Sequence, residues 1–95
     1  MKEDTLKIIN HYSVMHQLKK FQEEVFELNE AIILYECIDD SIYFSTNRNH
    51  ITEEIADCYV MLEQFCNYYD ISEEEIIKIM EYKIDRQLKR IETEV

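Results

Sequence analysis

Residues 14–35, VMHQLKKFQEEVFELNEAIILY, decide the fold of this chain. Val14, Leu18, Phe21, Val25, Leu28, Ile32 and Tyr35 recur at alternating spacings of four and three. That is the period of a helix packed along its length against others, so the pattern predicts one helix over about 13–38 with these residues as its seam. Residues 39–49 are polar around an apolar centre, Ile42, Tyr43 and Phe44, and are expected to form the main loop, with that centre docking as a short piece. A second helix is expected from Asn49 or Thr52, either of which suits an N-cap, with Glu53 and Glu54 in its positive first turn. Its seam is expected at Ile55, Tyr59, Leu62, Cys66 and Tyr69, widened by Phe65. Asp70 and Ile71 break the pattern. Ser72 with Glu75 then spells a capping box for a third helix carrying Ile77, Met80, Ile84, Leu88 and Ile91. Before Val14, Leu6, Ile8, Ile9 and Tyr12 make a short, weak helical pattern, either a separate turn or the start of the long helix.

The composition agrees. The 95 residues contain neither glycine nor proline. Tight hairpins and glycine-rich phosphate loops are therefore disfavoured, and long helices, which need neither residue, are the default. The expected fold is all-α: one domain over residues 1–95, an antiparallel bundle of three to four helices completed by oligomerisation.

A net charge of −11 argues against nucleic acid and against an anionic membrane surface as partners. Cys37, Cys58 and Cys66 are odd in number and form no CxxC, so neither a disulfide framework nor a zinc site is indicated. Cys58 and Cys66 fall within an apolar pattern, which points to buried thiols. The charged start Met1-Lys2-Glu3-Asp4 is unlike a secretory signal, and the expected compartment is the reducing cytoplasm.

Two acid pairs stand out by position. Glu24 with Glu27 and Glu54 with Asp57 are each three apart, so each pair shares one helix face. Acid pairs at this spacing are as numerous as such an acidic composition would produce by chance, so their number carries no weight. Their surroundings do. Glu24 and Glu27 adjoin Val25 and Leu28, and Glu54 and Asp57 adjoin Ile55 and Cys58, so both pairs border the expected core. The only two alanines, Ala31 and Ala56, lie nearby and leave room for an ion. Four carboxylates facing one cleft suit Mg²⁺, a hard cation that takes oxygen ligands. A di-iron carboxylate site would need Glu three residues before a histidine, and none of His11, His16 and His50 has one.

Taken together, Glu23-Glu24-Val25-Phe26-Glu27 followed by Glu54-Ile55-Ala56-Asp57 resembles the MazG-like all-α nucleoside triphosphate pyrophosphohydrolases. The turn Asp70-Ile71-Ser72-Glu73-Glu74-Glu75 and the later Lys83 and Arg86 extend the similarity over about residues 17–91. The resemblance implies a Mg²⁺-dependent enzyme, with Mn²⁺ as a possible substitute. It would cleave a nucleoside triphosphate between the α- and β-phosphates to give the monophosphate and pyrophosphate. It assigns the metal to Glu24, Glu27, Glu54 and Asp57, an assisting catalytic role to Glu23, and phosphate binding to Lys83 and Arg86. It also implies a homodimer or homotetramer. The chain departs from the family pattern at Glu81, where Asn is common, and at Gln87 and Lys89, where some members carry arginine. Two other readings are an acidic helical interaction protein without catalysis and a nucleotide sensor.

Overall fold

The computed structural model describes residues 1–37 and 48–94. The described residues form four helices and no strand: α1 (Lys2–Tyr12), α2 (Val14–Cys37), α3 (Arg48–Tyr68) and α4 (Glu73–Thr93). The early apolar pattern is thus a separate helix. The expected docking of Ile42, Tyr43 and Phe44 lies outside the described residues.

With no glycine available, other residues must take the left-handed backbone that ends helices. Ser13 sits at φ 93° between α1 and α2, a conformation costing a non-glycine residue about 1–3 kcal/mol. It offsets part of this cost by serving both helices. Its amide donates to the Ile9 carbonyl at 2.8 Å, and its hydroxyl accepts from the His16 amide at 3.2 Å, capping α2. Asp70 takes φ 55° after α3, a region that Asp tolerates better than most side chains. The Ile71 amide then closes back on the Cys66 carbonyl at 2.8 Å, the wrap that usually needs glycine. Two residues on, the capping box of α4 is complete. Ser72 Oγ accepts from the Glu75 amide at 3.2 Å, and Glu75 Oε2 accepts from the Ser72 amide at 2.7 Å.

α2 packs on α3, and α1 packs on both. α1 is held by Ile9, which is fully buried, and by the Asn67 amide group donating to Thr5 Oγ1 at 2.7 Å. The packed face of α2 is Gln17, Phe21, Glu24, Leu28, Ala31 and Leu34. That of α3 is Ile51, Glu54, Cys58, Met61, Gln64 and Phe65. Phe21 and Phe65 meet edge to face, with ring centroids 5.8 Å apart.

This corrects the expected seams. Both are turned toward the preceding residue: 17, 24 and 31 instead of 18, 25 and 32, and 54, 58 and 61 instead of 55, 59 and 62. Leu18, Val25, Ile32 and Tyr35 on α2, and Ile55, Tyr59 and Leu62 on α3, form exposed apolar stripes beside the true contact. Cys58 and Cys66 are half-buried and Cys37 is exposed. Ala31 lies within the seam, whereas Ala56 is exposed.

α4 packs on none of the other helices to a comparable degree, and none of its residues is buried. Its apolar stripe Ile77, Met80, Ile84, Leu88 and Ile91 faces solvent. The chain is extended accordingly. Its radius of gyration is 16.9 Å, where a compact chain of this length would have about 12 Å. Its accessible surface is 8031 Å², against about 5,800 Å² for a compact folded chain of this size. Among the described residues, no helix is long and apolar enough to cross a membrane.

Candidate metal site

The α2–α3 register builds the site. Gln17 meets Gln64, Glu24 faces Asp57 and Glu27 faces Glu54. Positions rise on α2 as they fall on α3, so the helices run antiparallel. The two acid pairs therefore meet in opposed order, and each carboxylate has another across from it.

Ligand oxygens from Glu24, Glu27 and Glu54 all lie within 4.8 Å of one another. Glu24 is 7 % exposed and Glu54 is 9 % exposed, while Glu27 stands at the open edge. Glu24 Oε2 and Glu54 Oε2 are buried with no hydrogen-bond partner among the described residues. A buried carboxylate oxygen left in this way costs free energy unless a cation or a proton comes to it. Oxygens around Mg²⁺ sit about 3–4 Å apart, given metal–oxygen distances of 2.0–2.1 Å. The cluster is close to that spacing and consists only of hard oxygen donors. The residues therefore fit a hard divalent cation.

The electrostatics agree. The Glu24 charge, helped by burial and by Glu54, raises the Glu27 carboxyl above its ordinary value. Burial, then Glu24 and Glu53, raises Asp57. Both shifts mean that like charges have been brought together and the ionised forms disfavoured. Asp57 lies outside the tight trio but is within side-chain hydrogen-bonding reach of Glu24. Cys58, one residue on, is raised by burial and then by Glu24, Asp57 and Glu54, so its thiol is held protonated beside the cluster and not as a metal-binding thiolate.

The other expected site residues are placed differently. Glu23 is on the outer side of α2, largely exposed, with its Oε2 3.9 Å from Lys20 Nζ. It lines a shallow depression with Lys19, Gln22, Phe26 and Glu27. Lys83 and Arg86 are on α4, which packs at most weakly on the helices that carry the acids. Within one chain they are not part of the cluster. Arg86 instead lies over the Tyr82 ring, 5.9 Å from its centroid, in a groove shared with Lys89 and Arg90.

Sequence reasoning passed over Lys20. Its Nζ is 3.2 Å from Glu24 Oε1, and that contact is the main reason its own ammonium is raised above the usual lysine range. The i,i+4 spacing from Lys20 to Glu24 was a readable signal. Sequence reasoning also passed over the buried amide pair, in which Gln17 Nε2 donates to Gln64 Oε1 at 2.8 Å. A polar residue at a seam position has no periodic signature of its own.

Comparison with models of protein families, with curated protein sequences and with solved structures finds no match to this chain.

Proposed function

We propose that this protein is a divalent-metal-dependent nucleoside triphosphate pyrophosphohydrolase, releasing pyrophosphate and a nucleoside monophosphate. The observation that carries this reading is the buried carboxylate cluster, in which Glu24 and Glu54 each keep one oxygen without a hydrogen-bond partner among the described residues. The order of the two acid motifs, which resembles that of the MazG-like enzymes, supplies the reaction class.

Glu24, Glu27 and Glu54 hold Mg²⁺, or Mn²⁺ in its place, and Asp57 closes the set from across the helix pair. When bound, the ion neutralises phosphate charge and acidifies a water for attack, which is most of what phosphoryl transfer requires of a site. Glu24 and Glu54 contribute position: each is fixed in a packed seam and cannot turn away into solvent. Glu23, at the rim, assists from outside the trio. Such a site also lets a chain of net charge −11 accept an anionic substrate.

The same reading assigns Lys83 and Arg86 to phosphate from a second copy of the chain. The exposed stripes of α2, α3 and α4 support a homodimer or homotetramer that completes a helical bundle. The surface in excess of a compact monomer, roughly 2,200 Å² per chain by size scaling, is in the range that obligate partners cover. Sedimentation is expected to give a dimer or tetramer, and a monomer at micromolar concentration would remove the source of the cations. The proposed setting is the cytoplasm.

The test is pyrophosphate release from a panel of canonical and modified nucleotides, with Mg²⁺ and with chelator. Release that requires metal, from one or a few nucleotides, is the expected result. Silence across the panel sinks the enzyme. The unpartnered face of α4 favours a second reading, an acidic interaction protein, and nucleotide binding without turnover would favour a sensor.

A further inference from the structure

We propose that Lys20 is the built-in counter-cation of the carboxylate cluster: its ammonium neutralises Glu24 from Oε1, beside the orphan Oε2 atoms that a divalent ion would take, and so lowers the affinity for that ion. This rests on the reading of the cluster as a metal site and adds the group that sets its affinity.

Lys20 Nζ lies 3.2 Å from Glu24 Oε1 and 3.9 Å from Glu23 Oε2. It is one helical turn before Glu24, so the tether is short and the pair forms without any other element moving. The cluster is otherwise anionic on both sides. Glu24 and Glu27 supply it from α2 and Glu54 from α3, with Asp57 and Glu53 beside them, while Glu23 lies on the outer side of α2 near the same ammonium. His50 Nε2 stands 3.9 Å from Glu54 Oε1. Among the described residues no other lysine or arginine forms an ion pair with Glu24, Glu27 or Glu54. Lys20 therefore satisfies one Glu24 oxygen, while Oε2 of Glu24 and Oε2 of Glu54 keep no hydrogen-bond partner among the described residues.

A divalent ion reaching those two orphan oxygens would sit across one carboxylate from the ammonium, which is on Oε1, and the two cations would repel each other. Lys20 can relieve that repulsion by moving off Glu24. Its side chain is 47 % exposed, so it can swing into water without opening the packed seam. Because the charge it gives up on leaving is replaced by the metal, the free chain is protected from the repulsion of its own acids and the loaded chain does not need the lysine.

The test removes the charge and keeps the stem: Lys20→Met, with Lys19→Met as a control that removes the same charge from the adjacent position, which forms no ion pair among the described residues. Calorimetric titration with Mg²⁺ should show Lys20→Met binding roughly five- to tenfold tighter than the parent, a screened single-charge effect. Lys19→Met should change affinity less than twofold. Melting in chelator should be lower for Lys20→Met than for the parent, and saturating Mg²⁺ should close or reverse that gap. A Lys20→Met chain that binds Mg²⁺ no tighter, or melts lower by the same margin in both conditions, makes the ion pair merely structural and overturns the proposal. Equal tightening in both variants would reduce it to net charge and overturn it as well. A parent chain that takes up no Mg²⁺ at all overturns the metal site itself, a different and recognisable failure.

Discussion

The two ends of the α2–α3 seam bury polar side chains in the same antiparallel register and treat them in opposite ways. At one end Gln17 donates to Gln64, and Gln64 Nε2 turns to the Val60 carbonyl at 3.4 Å. His16 Nδ1 lies 2.9 Å from Gln17 Oε1. The buried amides are answered, and they lock the register of the helices. At the other end Glu24 and Glu54 each bury one oxygen, Oε2, that makes no hydrogen bond among the described residues. Burial of polar groups serves structure where the partners are present. Where they are withheld, the cost stays in the folded state until something from outside meets it.

That contrast can be broken at either end. The largest effect belongs to Glu54→Gln. The variant should lose at least 100-fold in pyrophosphate release, the scale seen when one contributor to charge stabilisation is removed, while helix content by circular dichroism stays as in the parent. Loss of the fold would instead give Glu54 a structural role. Next is stability at the amide end. Gln64→Ala strands Gln17 in the seam and should cost about 1–3 kcal/mol, some 4–8 °C of melting temperature per kcal/mol for a domain of this size. Gln17→Leu with Gln64→Leu should be close to neutral, because both partners go together. If the acid end is a site and the amide end is framework, neither amide change should alter Mg²⁺ affinity.

A smaller effect sharpens the same comparison. Glu24→Gln should raise the metal-free melting temperature slightly, by about 1 kcal/mol of relieved unpaired burial, while lowering Mg²⁺ affinity. The amide pair has no such trade. The smallest effect is in pH. Glu27 and Asp57 have folded values raised above 4.5 and 3.8 respectively. An acid with a raised folded value holds its proton more tightly when folded, so its contribution to stability grows as pH falls from neutral through the raised value and is complete below the ordinary one. In chelator, the parent should gain more on going from pH 7 to pH 5 than Glu27→Gln/Asp57→Asn does. In Mg²⁺ that advantage should vanish or reverse, since protons then compete with the ion.

Much of this was readable before the fold. The long helix over 14–37, the Ser72–Glu75 capping box and the break at Asp70 all follow from local chemistry, and the structure places each at its expected position. The acid pairs could be read as facing pairs, because an antiparallel partner must present its positions in reverse order. The face was misread in part: Phe21, Leu28 and Phe65 do lie in the seam. Leu18, Val25, Ile32, Ile55, Tyr59 and Leu62 were the natural choice for a seam, yet Gln17, Glu24, Ala31, Glu54, Cys58 and Met61 occupy it. Periodicity finds apolar stripes and does not say which stripe meets which neighbour. Here the inner contact is partly polar and the stronger apolar stripe is left on the surface, so a rule that equates apolar with inside selects the wrong side.

The sequence by itself left open the break at Ser13 and put the start of α3 at Asn49 or Thr52, whereas α3 begins at Arg48 with no acid in its first turn. What it determined was helices throughout, the break at Asp70 with the Ser72–Glu75 cap, and two acid pairs, each on one helix face. These are consequences of residues within one or two turns of each other, where spacing alone sets geometry. Only the tertiary structure decided that Glu24 and Glu54 each bury an oxygen without a partner among the described residues, and that α4 carries its cations away from the acids of its own chain. Those facts depend on how each helix is rotated against the next. That rotation is set by packing between residues distant in sequence, which no local pattern contains.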